Sequence, residues 1–210
     1  MTSNPKAHLL PNIEAFITSI SGDKITDERQ TVLLPLINYI QGKQDQNEAA
    51  NLNFICTHNS RRSQLAQAWA KAVSVHFGIA IHSFSGGVEV TAFNESALNT
   101  LISYGFKVEL EGKTNPKVNL TFSNSQAPLH MFSKKFDDGI NPNEGFAAIM
   151  TCSDADANCP FIAGAEKRIP VKYDDPKLYD GTSDEAAKYS ECSRQIATEI
   201  FYVFSQIKKS

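Results

Sequence analysis

Apolar residues along the chain fall into segments of two different periods. Ile13, Phe16, Ile17 and Ile20 recur three and four apart, which is the spacing of one helix face. After the break at Ser21-Gly22-Asp23, Thr26 stands where an N-cap belongs. Val32, Leu33, Leu36, Ile37 and Ile40 then repeat at helical spacing, and Gly42 is expected to end that helix. Pro35 predicts either its first turn or a kink. Residues 44–51 are polar and read as a linker. Beyond them, short apolar runs recur at 52–55, 79–84, 145–151 and 167–171, each the length of a buried strand. Helical stripes separate these runs. Leu65, Trp69, Ala72 and His76 share a face, with Val73 and Phe77 beside it and Gly78 as the stop. Asn94 caps a helix through Ala97, Leu98, Leu101 and Ile102 that stops at Gly105. A long last helix buries Tyr189, Cys192, Ile196, Ile200, Val203 and Ile207, with Thr182 and Glu185 as its capping box.

Strands alternating with helices predict an α/β fold: a mostly parallel central sheet with helices on both faces. Residues 1–50 form an N-terminal helical extension and residues 51–210 the α/β domain, with an irregular insertion near 111–143. Within the insertion, 117–123 alternates like a strand, Asn124-Ser125 turns, and 128–132 returns. Lys134-Lys135 beside Asp137-Asp138 reads as solvated surface, and Ser85-Gly86-Gly87 as a tight turn needing glycine freedom. The extension is expected to dock on the main domain or on a second copy, which leaves a homodimer open.

The chemistry concentrates where the first strand ends. Cys56-Thr57-His58-Asn59-Ser60-Arg61-Arg62-Ser63-Gln64 joins a strand to a helix, and Cys-x5-Arg in that context forms an oxyanion cradle. Backbone N–H groups of Thr57 to Arg62 at a helix N-terminus, with the helix dipole, favour a bound anion. Arg62 adds a planar fork matched to tetrahedral oxyanions such as phosphate or arsenate. The same field favours a cysteine in its nucleophilic thiolate form. The run at 145–151 also ends on a cysteine, Cys152, and Cys159 follows seven residues later. In parallel sheets ligands bind beyond the carboxyl ends of strands, so neighbouring strands would bring Cys56 and Cys152 to one rim. Asp174-Asp175-Pro176, after a short strand, is a place for a proton donor to the leaving group. Water attack on a Cys56 adduct would make a phosphatase, whereas thiol attack by the Cys152/Cys159 pair would make a reductase.

Composition narrows the classes. Apolar content is 41%, charged content 20% and net charge −3, ordinary for a globular protein and unlike a general nucleic-acid binder. No run approaches the ~20 apolar residues of a membrane span, and the N-terminus leads into no apolar signal, so the expected location is the cytoplasm. Thiols stay reduced there, which makes the four cysteines candidates for catalysis before disulfides. The Cys152/Cys159 pair has no histidine nearby and poor company in Asp154 and Asp156, so no metal site is expected. Cys192 lies on a helix core stripe and reads as packing.

The Cys56 to Gln64 loop resembles that of low-molecular-weight protein tyrosine phosphatases and, more closely, their thioredoxin-coupled arsenate reductase relatives. Thr151-Cys152-Ser153-Asp154-Ala155-Asp156-Ala157-Asn158-Cys159-Pro160 looks like the redox segment of those reductases, and Asp174-Asp175-Pro176 is similar to the acid loop of both branches. The likeness runs from about Leu52 to Ile207, without the 111–143 segment and without residues 1–50. It implies a hydrolase-like fold turned to arsenic detoxification. On that likeness Cys56 would attack arsenate, Arg62 and the loop amides would hold the oxyanion, Ser63 would hydrogen-bond the thiolate, and Asn59 would hold the loop. Asp175 would protonate the leaving hydroxide. Cys152 would then attack the adduct, and Cys159 would take over Cys152 to present a disulfide to thioredoxin, with no bound cofactor. The alternative is a phosphomonoester or phosphotyrosine phosphatase using Cys56, Arg62 and Asp175. Ser85 matches a position near a monovalent-cation site in some reductases, where Gln67 replaces an acidic residue. His58 replaces a usual glycine and is expected to bear a left-handed backbone. Arg61 stands where many relatives have a second cysteine. The acid loop lacks the adjacent aromatics that grip phosphotyrosine, which favours a small inorganic substrate.

Overall fold

The computed structural model describes residues 8–158 and 161–209. Its centre is β1 (Ala50–Cys56), an almost wholly buried strand. It pairs in parallel with β2 (Ile81–Gly87) on one side and β6 (Phe146–Met150) on the other. β7 (Ala165–Pro170) adds in parallel to β6, giving the order β2-β1-β6-β7. Parallel pairing requires crossovers, and helices supply them. α3 (Arg62–Phe77) links β1 to β2, and α6 (Glu185–Ser205) closes over it.

The long helices α2 (Asp27–Asp45), α3 and α6 pack on one face of the sheet, where Leu52, Phe54, Trp69, Ile196 and Ile200 share one core. The other face is covered by the short α5 (Ser153–Asn158) and by the tail of the insertion. There Ile55, Phe146, Met150, Cys152 and Ala155 form a second cluster with Phe136 against it. Trp69 is fully buried, donates Nε1–H to Ser193 Oγ at 2.9 Å and stacks edge-on against Phe106. Burial of an aromatic with its polar handle satisfied contributes about 1.5–3 kcal/mol.

The N-terminal helices belong to the first core. α1 (Pro11–Ser19) sends Phe16 onto Trp69 and Tyr104, with Ile13 and Ile17 fully buried. Thr26 accepts from the Arg29 N–H at 3.3 Å and starts α2. Gly42 does not end α2, which continues to Asp45. The stop is Asn47 in the left-handed region (φ 58), with Glu48 N–H bonding back to Lys43 O at 2.9 Å. A helical glycine weakens a helix by only about 1 kcal/mol, whereas the left-handed turn removes its geometry altogether. Pro35 sits inside α2 on its exposed side, so the carbonyl it leaves unpaired faces water.

α4 (Glu95–Ser103) starts at Asn94, whose side chain accepts from the Ala97 N–H. Sequence periodicity missed the next strand, β3 (Lys107–Glu111), which is largely exposed and carries no buried face to read. It pairs antiparallel with β4 (Lys117–Thr121), which pairs with β5 (Leu129–Met131), making a second, three-stranded sheet. Leu10 N–H bonds to Phe122 O at 2.9 Å, which ties this sheet to the start of the chain.

Two further expectations change. Gly86 and Gly87 lie in β2 rather than in a turn, and neither has a positive φ. They are small because backbone approaches: a Cβ on Gly86 would lie 2.2 Å from Phe136 Cα, and one on Gly87 2.6 Å from Asn59 N. The capping box at α6 does not form either. Thr182 Oγ1 accepts from the Asp184 N–H one turn early, and Glu185 accepts instead from the Gly181 N–H and the Ser96 hydroxyl. Among the described residues, no helix is long and apolar enough to cross a membrane.

Candidate active site

Cys56 is the last residue of β1, and α3 opens at Arg62. The first α-helical bond is Leu65 N–H to Arg61 O at 2.9 Å, which leaves the earlier N–H groups to the loop between them. That loop turns at Asn59, where φ is 46. His58, expected to take the left-handed position, does not. Asparagine suits it because its short amide bonds locally. Asn59 Nδ2 donates to Ser63 Oγ at 2.9 Å, its Oδ1 accepts from the Lys134 N–H at 3.0 Å, and its carbonyl accepts from Gln64 at 3.0 Å.

Ser63 Oγ lies 3.1 Å from Cys56 Sγ and accepts from Asn59. Toward a Cys56 thiolate, which can only accept, Ser63 is the donor of the pair. Cys56 is 4% exposed, so its sulfur lies at the bottom of the loop.

Arg62 is buried. Its NH1 donates to Tyr173 O at 2.9 Å and its NH2 to Asp175 Oδ2 at 2.5 Å, while buried Nε has no partner among the described residues. Asp175 caps the 3-10 turn Pro176–Tyr179 by accepting from the Lys177 N–H at 3.1 Å. The acid loop and the cradle are thus one unit, joined through a charge-assisted bond.

The remaining loop side chains face elsewhere. His58 Nε2 lies 3.2 Å from Glu89, Ser60 donates to Ala92 O at 2.7 Å, and Arg61 donates to the Tyr189 hydroxyl at 2.7 Å and to Asp180 at 3.1 Å. These three residues contribute backbone to the cradle, and the charge of Arg61 is spent on Asp180. Tyr189, buried and bonded to Asp180, has its ionisation pushed well above the ordinary tyrosine range.

Parallel pairing of β1 and β6, with Ile55 opposite Met150, carries Cys152 to the same rim as Cys56. Cys152 is 1% exposed, its sulfur 3.5 Å from Thr57 Oγ1, and it accepts from the Ala155 N–H at 3.4 Å. Cys159 lies outside the described residues. Cys192 lies on α6 against the loop that follows β7, its sulfur 3.8 Å from Asp174 O, and burial pushes its thiol up to about 12, so it stays protonated. Ser85 donates to Gln67 Oε1 at 2.6 Å, and Gln67 donates on to Ser83 O at 3.0 Å, so those three polar groups satisfy one another.

Sequence reading missed the groups that brace the loop from outside. Lys134, taken as solvated surface, is 2% exposed. Burial pushes its ammonium down to about 8, and it lies 5.1 Å above the Phe132 ring. Its main chain is the useful part: N–H to Asn59 Oδ1 and C=O from the Gly87 N–H at 2.9 Å. Next to it, Ser133 Oγ donates to His58 O at 2.8 Å and accepts from the Thr91 N–H at 2.9 Å. Asn115 secures Ser133 through bonds to both its main-chain groups. No local pattern marks these residues. Ser133→Ala is expected to lower stability by about 1–3 kcal/mol, because it leaves the Thr91 N–H without its partner and His58 O with the longer bond from Thr91 Oγ1 at 3.4 Å. Thermal unfolding in the absence of ligand measures the loss.

No protein-family profile matches this chain. An arsenate reductase 2 of Staphylococcus epidermidis is 31% identical over 123 residues, covering 59% of this chain and 76% of that protein. An arsenate reductase of Bacillus licheniformis is 28% identical over 135 residues, covering 63% and 78%. Among solved structures, a phosphate-bound arsenate reductase superposes with a TM-score of 0.50 at 17% identity, over 76% of this chain and all of that one. A low-molecular-weight phosphotyrosine phosphatase of Vibrio cholerae gives 0.51 at 15% identity, over 75% and 95%. The two structures share the fold, and the curated relatives share sequence over three quarters of their length. The chain belongs to the arsenate reductase family, built on the low-molecular-weight tyrosine phosphatase fold.

Proposed function

We propose that this protein reduces arsenate to arsenite with electrons from a thioredoxin-type dithiol. The observation that carries the reading is a buried second thiol, Cys152, set against the oxyanion loop through Thr57. A phosphatase needs only the cradle and the acid.

Arsenate enters the loop, where free N–H groups, the helix N-terminus and Arg62 Nε bind its oxygens. The Cys56 thiolate, steadied by Ser63, attacks arsenic, and one oxygen leaves with a proton from Asp175. The adduct is Cys56–S–As(V). The Cys152 thiolate then attacks the Cys56 sulfur. A Cys56–Cys152 disulfide forms, the S–As electron pair stays on arsenic, and As(III) leaves as arsenite. Cys159 displaces Cys56 from Cys152, and the resulting Cys152–Cys159 disulfide is reduced by the external dithiol. Two electrons move from two thiols to one arsenic. Such a cycle needs reduced thiols, which points to the cytoplasm.

Mixing fully reduced protein with arsenate, without any reductant, should release one equivalent of arsenite. Mass spectrometry of the peptides should then find Cys152 joined to Cys159. Arsenate left unreduced, together with sustained hydrolysis of an aryl phosphate, would instead assign the protein to the phosphatases.

A further inference from the structure

Arg62 is held from behind by one residue, and that residue is held by the N-terminal helices. Tyr173 is 7% exposed. Its carbonyl accepts from Arg62 NH1, and its N–H bonds to Thr151 O at 3.2 Å, beside Cys152. Two residues later the same segment presents Asp175 to Arg62. The position of Tyr173 therefore sets both the oxyanion ligand and the acid.

The Tyr173 ring is enclosed by charge rather than by aliphatic packing alone. The Arg29 guanidinium stands 5.6 Å above it. Glu199, 3% exposed on α6, takes a two-pronged bond from Arg29: Nε to Oε1 at 2.9 Å and NH2 to Oε2 at 2.5 Å. Gln195 adds a third bond at 3.1 Å. Burial and the adjacent Glu199 carboxylate keep the Tyr173 phenol protonated, well above the ordinary tyrosine range. Fork geometry of this kind holds a guanidinium in one plane, which a lysine cannot reproduce. Arg29 lies in the first turn of α2, within the extension that the domain itself did not require on sequence grounds.

We propose that Arg29 is a positioning residue for the oxyanion site: with Glu199 it clamps Tyr173, and through the Tyr173 carbonyl it sets the Arg62 guanidinium. The N-terminal helices then form part of the working site instead of an appended module. The inference rests on the reading of Arg62 as the oxyanion ligand, and the test separates the two.

The test compares phosphate affinity, by calorimetry on the reduced full-length protein, among four variants held well below their melting temperatures. Arg29→Met combined with Glu199→Gln removes the clamp without leaving a buried charge alone. It should bind phosphate about tenfold more weakly, because small misplacements of a positioned group carry large penalties. Arg29→Lys, which keeps the charge and loses the fork, should recover part of that affinity. Ile40→Ala, fully buried three turns along α2, should lower the melting temperature and leave phosphate affinity within about twofold. Clamp-free protein that binds phosphate within that same margin, or an Ile40→Ala loss of equal size, overturns the proposal. If the double variant does not fold, Arg29→Lys decides by the same margin. Arg62→Ala with undiminished affinity would sink the underlying reading of the cradle instead.

Discussion

Replacing Cys152 by serine is expected to stop sustained arsenate reduction, by about 10³-fold or more, while leaving the fold and phosphate binding intact. Serine is close in size to cysteine, and the site is a small one against Thr57, so packing changes little. The chemistry changes completely: a hydroxyl cannot accept the Cys56 sulfur or hand electrons to arsenic. Cys56 should still attack, so the variant should trap one equivalent of arsenic that excess thiol slowly releases. Cys56→Ser should trap none. The pair of variants distinguishes attack from reduction. Steady turnover of Cys152→Ser at the parent rate would show that an outside thiol resolves the adduct, and the internal relay would have to be abandoned.

The second large effect is expected at Arg62. Arg62→Ala should weaken phosphate binding by about 10² to 10³-fold, since truncating one member of a buried charge pair removes about 2–5 kcal/mol. Three losses coincide in that side chain. Buried Nε carries no bond among the described residues and is the group proposed for the ligand, NH1 anchors Tyr173, and NH2 orders Asp175. Arg62→Lys keeps the charge with a single point of contact, so it should recover only a minor part. Calorimetric titration with phosphate reads the change directly. A loss below about threefold would assign the binding to the loop amides and the helix terminus.

The oxyanion loop was legible because its determinants are local. A strand that ends on cysteine, five residues of loop and an arginine at a helix start are all neighbours in sequence, and backbone geometry alone makes the cradle. Caps at Thr26 and Asn94 were legible for the same reason: the side chain bonds an N–H three residues on. Where the expectation failed, the deciding partner was distant. His58 was assigned the strained backbone from its place in the loop. Asn59 takes it because Ser63 and the main chain of Lys134 hold its amide, and Lys134 lies 75 residues away. The direction of the Arg61 side chain is set in the same way, by Asp180 and Tyr189 from the far end of the chain.

Lys134 illustrates the limit of composition. Two lysines followed by two aspartates look solvated, yet the segment runs against the end of β2 and Phe136 packs on the second face of the sheet, which buries Lys134. The glycines at 86 and 87 mark the same contact from the other side. They were correctly noticed as special and incorrectly explained, since close backbone approach and left-handed φ leave the same residue in the sequence.

Periodicity and spacing were enough to establish the parallel α/β sheet, the strand–loop–helix at Cys56 and the two cysteines where strands end. All three follow from rules that act over a few residues or along one element: side-chain period, strand-to-helix order and helix termini. The pairing of β1 with β6, the outward turn of Arg61, the bracing by Ser133 and the line from Arg29 through Tyr173 to Arg62 came from the packed molecule alone. Each depends on which distant surfaces meet and on which buried polar groups must find partners once water is gone. Cys56 and its loop name an oxyanion, and the neighbours that the fold brings to them decide what becomes of it.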